Sequence, residues 1–374
     1  MSFSLPADPP RSRSLTGVVP QMLAAIGGSS DWFAPARSAI VFVVDGLGAH
    51  NLAARSGHAR FLAAAGSKKD VARTVFPSTT ASALTSLLTG SPVGRHGIVG
   101  YRALAPERDV VLNQLRGWDT DGLEESWQRS RPLTKQWSEQ GRPSFVVSKP
   151  EYADTGFTAT TMRGAEFVGA VDVAERARIA GELAARHPGA FVYLYAPELD
   201  AVGHKRGWQS DEWVAALERV DAAARLLVDA ATTQTGVVVT ADHGMIDVPR
   251  HRHVLLSDDG DLLSGIRHIG GEPRMLHLYT EPGAAAGVHR RWVATEAGRS
   301  WVLSRDEAVA SGVFGTVDPA VAPRIGDVVV AARSGIAYYD DRLDDKGPQR
   351  MVGQHGSLTL EERIVPLIRL GAFA

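Results

Sequence analysis

Aspartate and histidine residues follow several apolar stretches of this sequence. Asp45 comes directly after VFVV, and the pair Asp242 and His243 follows VVVTA. Two more lie in PELDAVGH, just after FVYLYA, and one lies in GQHGS, downstream of the apolar run at Val328. Ligands of open α/β sheets bind at the carboxyl ends of the strands. We therefore expect six side chains to converge on one sheet edge: Asp45, Asp200, His204, Asp242, His243 and His355.

Each of these residues also has an ordinary structural interpretation. Asp45 and Asp242 stand in Asp-Gly and Asp-His-Gly, which are common turn sequences, Asp200 suits a helix cap, and His204 suits a core. The segment GLGAHN resembles a dinucleotide-binding loop, but Asn51 takes the place of its third glycine. As a set, three aspartates and three histidines suit a pair of divalent cations, such as Zn²⁺ or Mn²⁺.

Three consecutive hydroxyl residues, Ser78, Thr79 and Thr80, open a predicted helix in the segment VFPSTTASALTSLLTG. Gly90 and the following Pro92 are typical of its end. The N-terminus of a helix offers unpaired N–H groups and partial positive charge, which suit a phosphate or another oxyanion. One hydroxyl suffices to cap the helix. A hydroxyl bound to a metal ion loses its proton readily, and it then becomes a nucleophile near neutral pH.

Buried strands alternate with helices along most of the chain. An amphipathic helix is predicted over residues 211–231, and continuous apolar runs predict strands at residues 40–44, 144–148, 190–196 and 236–244. This alternation predicts an α/β fold with a largely parallel central sheet flanked by helices.

The pattern changes after Pro249. RMLHLY reads as a strand and residues 285–297 as a helix, which indicates a small α+β insertion. The buried-strand style returns at Val328, and RIVPLIRL is predicted to close the central sheet. We therefore expect residues 1–250 and 325–374 to form the core and residues 251–324 to form an inserted cap.

Composition excludes several classes of function. The formal net charge of the 374 residues is -2, so no basic surplus favours a nucleic-acid polymer as partner. The absence of cysteine excludes disulfides, thiolate metal sites and a cysteine nucleophile. Neither a signal-peptide core nor an apolar run long enough to span a bilayer is present, so no membrane partner is expected. These features predict a cytoplasmic enzyme whose oligomeric state the sequence leaves open.

In combination, these motifs resemble the alkaline phosphatase superfamily, and within it a bacterial branch similar to the nucleotide pyrophosphatases/phosphodiesterases. The resemblance rests on a strand-end Asp45, on Thr80 ahead of Thr89-Gly90, and on three later motifs: Asp200 with His204, Asp242-His243-Gly244, and His355. RHGIVGY and QHGSLTLEERIVPLI are also similar to that branch. The resemblance covers residues 40–368, apart from the insertion.

The resemblance implies two metal positions. Asp200, His204 and His355 would hold one divalent cation, with Zn²⁺ as the implied metal, and Asp45, Asp242, His243 and the Thr80 oxygen would hold the other. Thr80 would be the nucleophile, since its distance to Gly90 matches the nucleophile spacing of these families. A phosphothreonine intermediate is then implied.

The implied substrates are small phosphate esters, with phosphodiesters or nucleotide pyrophosphates favoured. Tyr101 stands where that group usually has an asparagine that donates to a phosphoryl oxygen. Arg95 and Lys149 are weaker candidates for a phosphate clamp. A phosphomonoesterase, a phosphonate hydrolase and a sulfatase on the same core stay open, as does a metal-binding module without catalysis.

Overall fold

The computed structural model describes residues 4–257 and 260–374. Residues 1–3 of the predicted core, and residues 258–259 of the predicted insertion, lie outside the described residues. The strands are β1 Ser38–Val44, β2 Val71–Arg73, β3 Arg102–Ala105, β4 Val110–Asn113, β5 Ser144–Ser148, β6 Glu166–Gly169, β7 Phe191–Ala196, β8 Thr235–Thr240, β9 Ile246–Asp247, β10 His253–Leu256, β11 Ile266–Glu272, β12 Met275–Thr280, β13 Ser300–Ser304, β14 Val328–Ala332, β15 Ala337–Asp340, β16 Gly353–Gln354 and β17 Ile364–Gly371.

Helices connect these strands and cover the faces of the main sheet. They are α1 Leu15–Ile26, α2 Ala49–Ala54, α3 Arg60–Ala65, α4 Thr80–Thr89, α5 Val93–His96, α6 Gly117–Thr120, α7 Leu133–Glu139, α8 Gly156–Thr161, α9 Val173–Arg186, α10 Glu198–Arg206, α11 Asp211–Ala230, α12 Ala285–Glu296, α13 Arg305–Ala310 and α14 Leu360–Arg363. Among the described residues, none of these helices combines the length and apolar character required to cross a membrane.

The main sheet has seven strands in the order β2-β17-β8-β1-β7-β5-β6. β8, β1, β7, β5 and β6 run parallel to one another, and β17 is antiparallel to both β8 and β2. Every residue of β1 is buried, because helices cover both faces of a parallel sheet and a β-branched run satisfies both. The predicted α/β fold with a largely parallel central sheet is confirmed.

The long helix α11 follows its predicted pattern. Ser210 caps its N-terminus by accepting a hydrogen bond from the Trp213 N–H. Trp213, Leu217, Val220, Ala224 and Leu227 are all buried, which is the apolar stripe expected at helical spacing. The helix packs against α9, which in turn contacts β1, β5 and β7 of the main sheet.

A second sheet of four antiparallel strands, in the order β11-β12-β14-β13, lies in the later part of the chain. The sequence interpretation placed the strand at Val328, which is β14, in the core with the main sheet. In the structure β14 pairs with β12 and β13 instead. The reason is that both faces of β14 are covered: Val329 and Ala331 enter one apolar cluster, while Val328 and Val330 enter another. A strand buried on both faces reads as a continuous apolar run in either sheet.

We retain a core and an inserted cap as a proposal for the organisation of the chain. The strands of the second sheet extend past residue 324 to β14, and β15 follows them. β15 pairs with β10 in a separate two-stranded ribbon.

Candidate metal centre and nucleophile

Three neighbouring strands of the main sheet end beside one another. β1 lies between β8 and β7, with Val43 opposite both Tyr195 and Thr240. Because the strands are parallel and in register, the residues after them meet at one edge. Asp45 follows β1, Asp242 and His243 follow β8, and Asp200 and His204 lie on α10 after β7.

The predicted ligands Asp200, His204 and His355 form one group of donors, called here the outer triad. Asp200 Oδ1 is 3.3 Å from His204 Nε2 and 3.8 Å from His355 Nε2, and the two Nε2 atoms are 3.3 Å apart. Asp200 and His204 are four residues apart on α10, so they share one helix face. The Nδ1 atoms of the histidines face backbone carbonyls, those of Gly353 at 2.8 Å and Ser78 at 2.9 Å. These contacts turn both Nε2 atoms inward.

His355 reaches the edge by a route that differs from the sequence interpretation. It does not follow β14, but comes directly after β16, a two-residue strand that pairs with β9. β9 in turn lies just beyond the Asp242-His243-Gly244 segment. The histidine is therefore brought in by a local ribbon beside the main sheet.

The second group of donors, called the inner triad, consists of Asp45, Asp242 and His243. His243 Nε2 is 3.4 Å from Asp45 Oδ1, 3.4 Å from Asp242 Oδ2 and 3.2 Å from the Thr80 hydroxyl. His243 also stacks on His355, with ring centroids 3.6 Å apart, and its ligand atom lies within 4.8 Å of those of Asp200 and His355. The inner and outer triads therefore adjoin through His243.

The two glycines in the aspartate motifs have defined roles. Gly46 has a φ of +75°, and its N–H donates to Asp242 Oδ1 at 3.1 Å. A Cβ on Gly244 would lie 2.0 Å from the Glu361 carbonyl oxygen, so no larger residue fits after His243. The turn interpretation of Asp-Gly is thus correct for the backbone, and the same turn orients an aspartate of the inner triad.

The donor set suits divalent cations. Ligands at about 2.0–2.1 Å in a tetrahedral zinc site lie roughly 3.3–3.4 Å from one another, and most of the donor distances in both triads are of this size. Among the described residues, Asp45 Oδ1, Asp200 Oδ1 and Asp242 Oδ2 are buried without a hydrogen-bond partner. Buried carboxylate oxygens without partners are costly, and a cation between them would compensate their charge.

The directions of the pKa shifts of Asp45 and His355 agree with this donor set. Burial raises the pKa of Asp45 well above its usual range, and the charges of Asp242 and Asp200 add to the effect. Burial, followed by the neighbouring His243 and His204, lowers the pKa of His355 well below its usual range. A neutral imidazole is the form that binds metals. A bound cation would favour ionised carboxylates and so reverse the shift of Asp45.

The hydroxyl cluster divides into three different environments. Thr80 is the first residue of α4 and faces His243. Ser78 donates to the Ser357 carbonyl at 2.8 Å and accepts from the Gly356 N–H at 3.2 Å, so it fixes the loop that carries His355. Thr79 occupies the N-cap position, but its side chain makes no capping hydrogen bond to a described residue. Capping therefore accounts for neither neighbour of Thr80.

The remaining predicted residues lie outside the triads. Tyr101 is half-buried and lines a cavity of about 400 Å³, together with Arg102, Glu272 and Tyr339. Arg95 is exposed, and Lys149 has its ammonium 3.9 Å from Glu151. The geometry thus gives neither basic residue a place among the donors.

The sequence interpretation missed Tyr195 and Glu272 and did not give the role of Asn51. The Tyr195 hydroxyl donates to Asp45 Oδ2. Glu272 is buried beside Gly356, and burial raises its pKa to about 8. Asn51, considered as part of a dinucleotide loop, instead donates to the Met245 carbonyl at 3.0 Å. Only Tyr195 left a sequence signal, a hydroxyl at the end of a strand, five residues before Asp200.

Comparison with known proteins identifies a matching family. The family described as type I phosphodiesterase / nucleotide pyrophosphatase matches residues 39–358. A search of curated proteins found no match.

Several solved structures share the fold. Murine ectonucleotide pyrophosphatase/phosphodiesterase 5 superposes with a TM-score of 0.67 at 18% identity, and its human counterpart with 0.68 at 16%. Each alignment covers 88% of this chain and 87% of the other. A further murine structure, with a TM-score of 0.65 at 18% identity over the same shares, is of an inactive threonine-to-alanine variant in complex with AMP.

The family match includes both edge strands of the seven-stranded sheet, β2 and β6, and every residue of the two triads. The fold of the solved structures agrees with it. The chain therefore belongs to the type I phosphodiesterase/nucleotide pyrophosphatase family, metal-dependent phosphodiester hydrolases of the alkaline phosphatase superfamily.

Proposed function

We propose that this enzyme hydrolyses small phosphodiesters or nucleotide pyrophosphates, with Thr80 as the covalent nucleophile and one divalent cation in each triad. Zn²⁺ suits the aspartate and histidine donors best, and Mn²⁺ is the alternative. The observation that carries the proposal is the 3.2 Å distance between the Thr80 hydroxyl and His243 Nε2, at the start of a helix.

The position of Thr80 supports its assignment. The first N–H groups of α4 have no intrahelical partners, and the helix dipole adds partial positive charge at this end. A phosphoryl group attached to Thr80 would therefore be stabilised where it forms. Ser78 is engaged by two backbone groups of the His355 loop, and its hydroxyl is not free to attack.

The bond changes of the proposed reaction are simple. Thr80 Oγ1 loses its proton and bonds to phosphorus while the bond to the leaving group breaks; the leaving group is an alcohol from a diester or a phosphate from a pyrophosphate, and it takes up a proton. Water then cleaves the phosphothreonine, releases a phosphate monoester and restores the hydroxyl. Bound divalent cations would supply a lowered pKa for the attacking hydroxyl and charge compensation for the phosphoryl oxygens. We assign Tyr101 as a hydrogen-bond donor to the substrate, in place of the usual asparagine.

We assign the cavity beside Tyr101 to the organic group of the substrate, because its wall residue Glu272 packs against Gly356, next to His355. Its volume, about 400 Å³, is in the range of small-molecule sites. Its lining comes from β3, β4, β11, β15 and residues 342–349, so the proposed cap contributes part of it. Loops and insertions around strand ends usually set specificity. The AMP bound by the murine neighbour is one example of such a substrate group.

An ester panel tests the proposed substrate class. Purified protein, stripped of metal and reloaded with Zn²⁺ or Mn²⁺, is assayed on bis(p-nitrophenyl) phosphate, p-nitrophenyl phosphate, a p-nitrophenyl phosphonate and p-nitrophenyl sulfate. We expect kcat/KM to be highest for the diester, by at least about tenfold, which corresponds to 1.4 kcal/mol. A preference for the monoester, the phosphonate or the sulfate would replace the diesterase assignment.

The same assay addresses the possibility of a metal-binding module without catalysis. The Thr80→Ala variant serves as the comparison, with Thr79→Ala as the matched control one residue away. A wild-type protein that binds two metals but cleaves none of the four esters faster than Thr80→Ala would favour the non-catalytic alternative.

A further inference from the structure

Two buried tyrosines lie on the strand beside Asp45. Tyr193 and Tyr195 are two residues apart on β7, so their side chains lie on the same face of the sheet. Their rings are nearly parallel, 15° apart, with centroids 6.0 Å apart. Tyr152 packs edge-on against Tyr195 at 6.1 Å. The ring of Tyr195 is therefore held between two aromatic neighbours.

The two hydroxyls differ in their partners. The Tyr195 hydroxyl donates to Asp45 Oδ2. The Tyr193 hydroxyl is buried and makes no hydrogen bond within residues 4–257 and 260–374. The two side chains thus match in type, face and burial but differ in the contact to Asp45.

The hydrogen bond from Tyr195 leaves the two oxygens of Asp45 unequal. Oδ2 is engaged by the hydroxyl, while Oδ1 has no hydrogen-bond partner in the described part of the chain and lies 3.4 Å from His243 Nε2. The backbone fixes the carboxylate as well, since the Asp45 N–H donates to the Ala196 carbonyl at 2.9 Å. Asp45 therefore presents one oxygen to the other donors of the inner triad.

We propose that Tyr195 is a positioning residue that makes Asp45 a one-oxygen ligand and so sets the metal affinity of the inner triad. The proposal rests on the metal centre proposed above. A carboxylate without this hydrogen bond could rotate or bind through both oxygens, which would displace it from the geometry shared with Asp242 and His243. Hydrogen bonds of this kind to ligating residues commonly change metal affinity by about 10–100-fold.

The test compares Tyr195→Phe with Tyr193→Phe, each of which keeps the aromatic ring. Stepwise Zn²⁺ and Mn²⁺ affinities are measured on metal-free protein by competition with a chromophoric chelator, and thermal unfolding confirms the fold. We expect Tyr195→Phe to weaken one of the two affinities by about 10–100-fold and to leave the other unchanged. Tyr193→Phe should match the wild type in both. Asp45→Asn identifies which affinity belongs to the inner triad.

Failure of this proposal can be distinguished from failure of the proposed metal centre. Wild-type affinities in Tyr195→Phe, or equal losses at both positions, would overturn the proposal. A wild-type protein that binds fewer than two metals would instead contradict the metal centre itself. If Tyr195→Phe does not fold, a crystal structure of the zinc-loaded wild type decides. The proposal requires Asp45 to bind through Oδ1 alone with Oδ2 still on Tyr195, and a bidentate Asp45 would refute it.

Discussion

The inner and outer triads contain similar residues but differ in their exposure to solvent. In the inner triad the side chains of Asp45, Asp242 and His243 are 4%, 0% and 0% exposed. In the outer triad Asp200 and His204 are 18% and 24% exposed, and His355 is 9% exposed. The inner triad follows two adjacent central strands and faces Thr80, whereas the outer triad is built from a helix and a short ribbon. The more buried triad is thus the one that faces Thr80, the proposed nucleophile.

This difference suggests a division of roles. A cation held by buried ligands beside Thr80 would act on the attacking hydroxyl, and one held by more exposed ligands would act where the leaving group departs to solvent. The His243 and His355 rings, stacked at 3.6 Å, join the two sides.

Removal of the Thr80 hydroxyl should have the largest effect. Thr80→Ala is expected to lower kcat by about 10⁴-fold or more, since loss of the attacking group disables the whole catalytic unit. Thr80→Ser should keep part of the activity, because a hydroxyl remains. Binding of the metal at the outer triad should be unchanged in both, as judged by chelator competition. A Thr80→Ala variant with near wild-type kcat would contradict the role of the inner side.

The metals of the two triads should be released at different rates. A dilute chelator is expected to strip the more exposed outer position first, at least about tenfold faster than the inner one, a difference of about 1.4 kcal/mol in barrier height. Metal release is followed by a chromophoric chelator and turnover by an ester assay in parallel. Asp200→Asn should remove the fast phase and Asp242→Asn the slow one. A single phase for both metals would show that exposure does not distinguish the triads.

Glu272 provides a comparison outside both triads. Its carboxylate is buried beside Gly356, and burial raises its pKa from 4.5 to about 8, with a smaller contribution from the charge of Glu362. Because the folded-state pKa is raised, the stabilising contribution is fully present below pH 4.5 and is lost as the pH rises through 8. Glu272→Gln, which is neutral at every pH, should therefore resist this loss.

Urea unfolding of metal-free protein across this pH range measures the effect. Wild type and Glu272→Gln should have similar stability near pH 4.5, and the variant should be more stable near pH 8.5 by on the order of a few kcal/mol. Glu281→Gln, at an exposed position of the same region, is the control. Parallel pH curves for Glu272→Gln and wild type would show that this carboxyl is not held neutral.

The neighbours of Thr80 should have the smallest effects. Ser78→Ala removes hydrogen bonds to the loop of His355 and should cost about 1–2 kcal/mol of stability. Thr79→Ala should cost less than the ~1 kcal/mol of a lost cap, because the hydroxyl makes no capping bond among the described residues. Both should keep kcat within about tenfold of wild type. A loss in either variant comparable to that of Thr80→Ala would contradict the assignment.

The sequence predicted the main sheet and the grouping of five of the six donors from one physical regularity, whereas His355 arrives from the ribbon of β16 and β9. Parallel strands share an edge at their carboxyl ends, so residues after β1, β7 and β8 had to meet. The buried stripe of α11 followed equally from helical periodicity. These features depend on local patterns, which a single sequence contains.

Features that depend on contacts distant in sequence were not predictable. β14 has the pattern of a main-sheet strand, and only its partners β12 and β13 place it in the second sheet. The hydrogen bond from Tyr195 to Asp45 joins residues 150 positions apart. Glu272 reads as an ordinary glutamate until Gly356 is packed against it. The bacterial branch, the cytoplasmic location and the role of Tyr101 stay predictions.

The proposed mechanism requires that Thr80 carries the phosphoryl group during turnover. The direct measurement is to quench the zinc-loaded enzyme with acid during cleavage of bis(p-nitrophenyl) phosphate and to map phosphorylated peptides by mass spectrometry. We expect a single phosphorylated site at Thr80 in the segment VFPSTTASALTSLLTG, and none in Thr80→Ala. Phosphate on Ser78 or Thr79, or a labelled peptide from elsewhere in the chain, would contradict the assignment of Thr80 as the nucleophile.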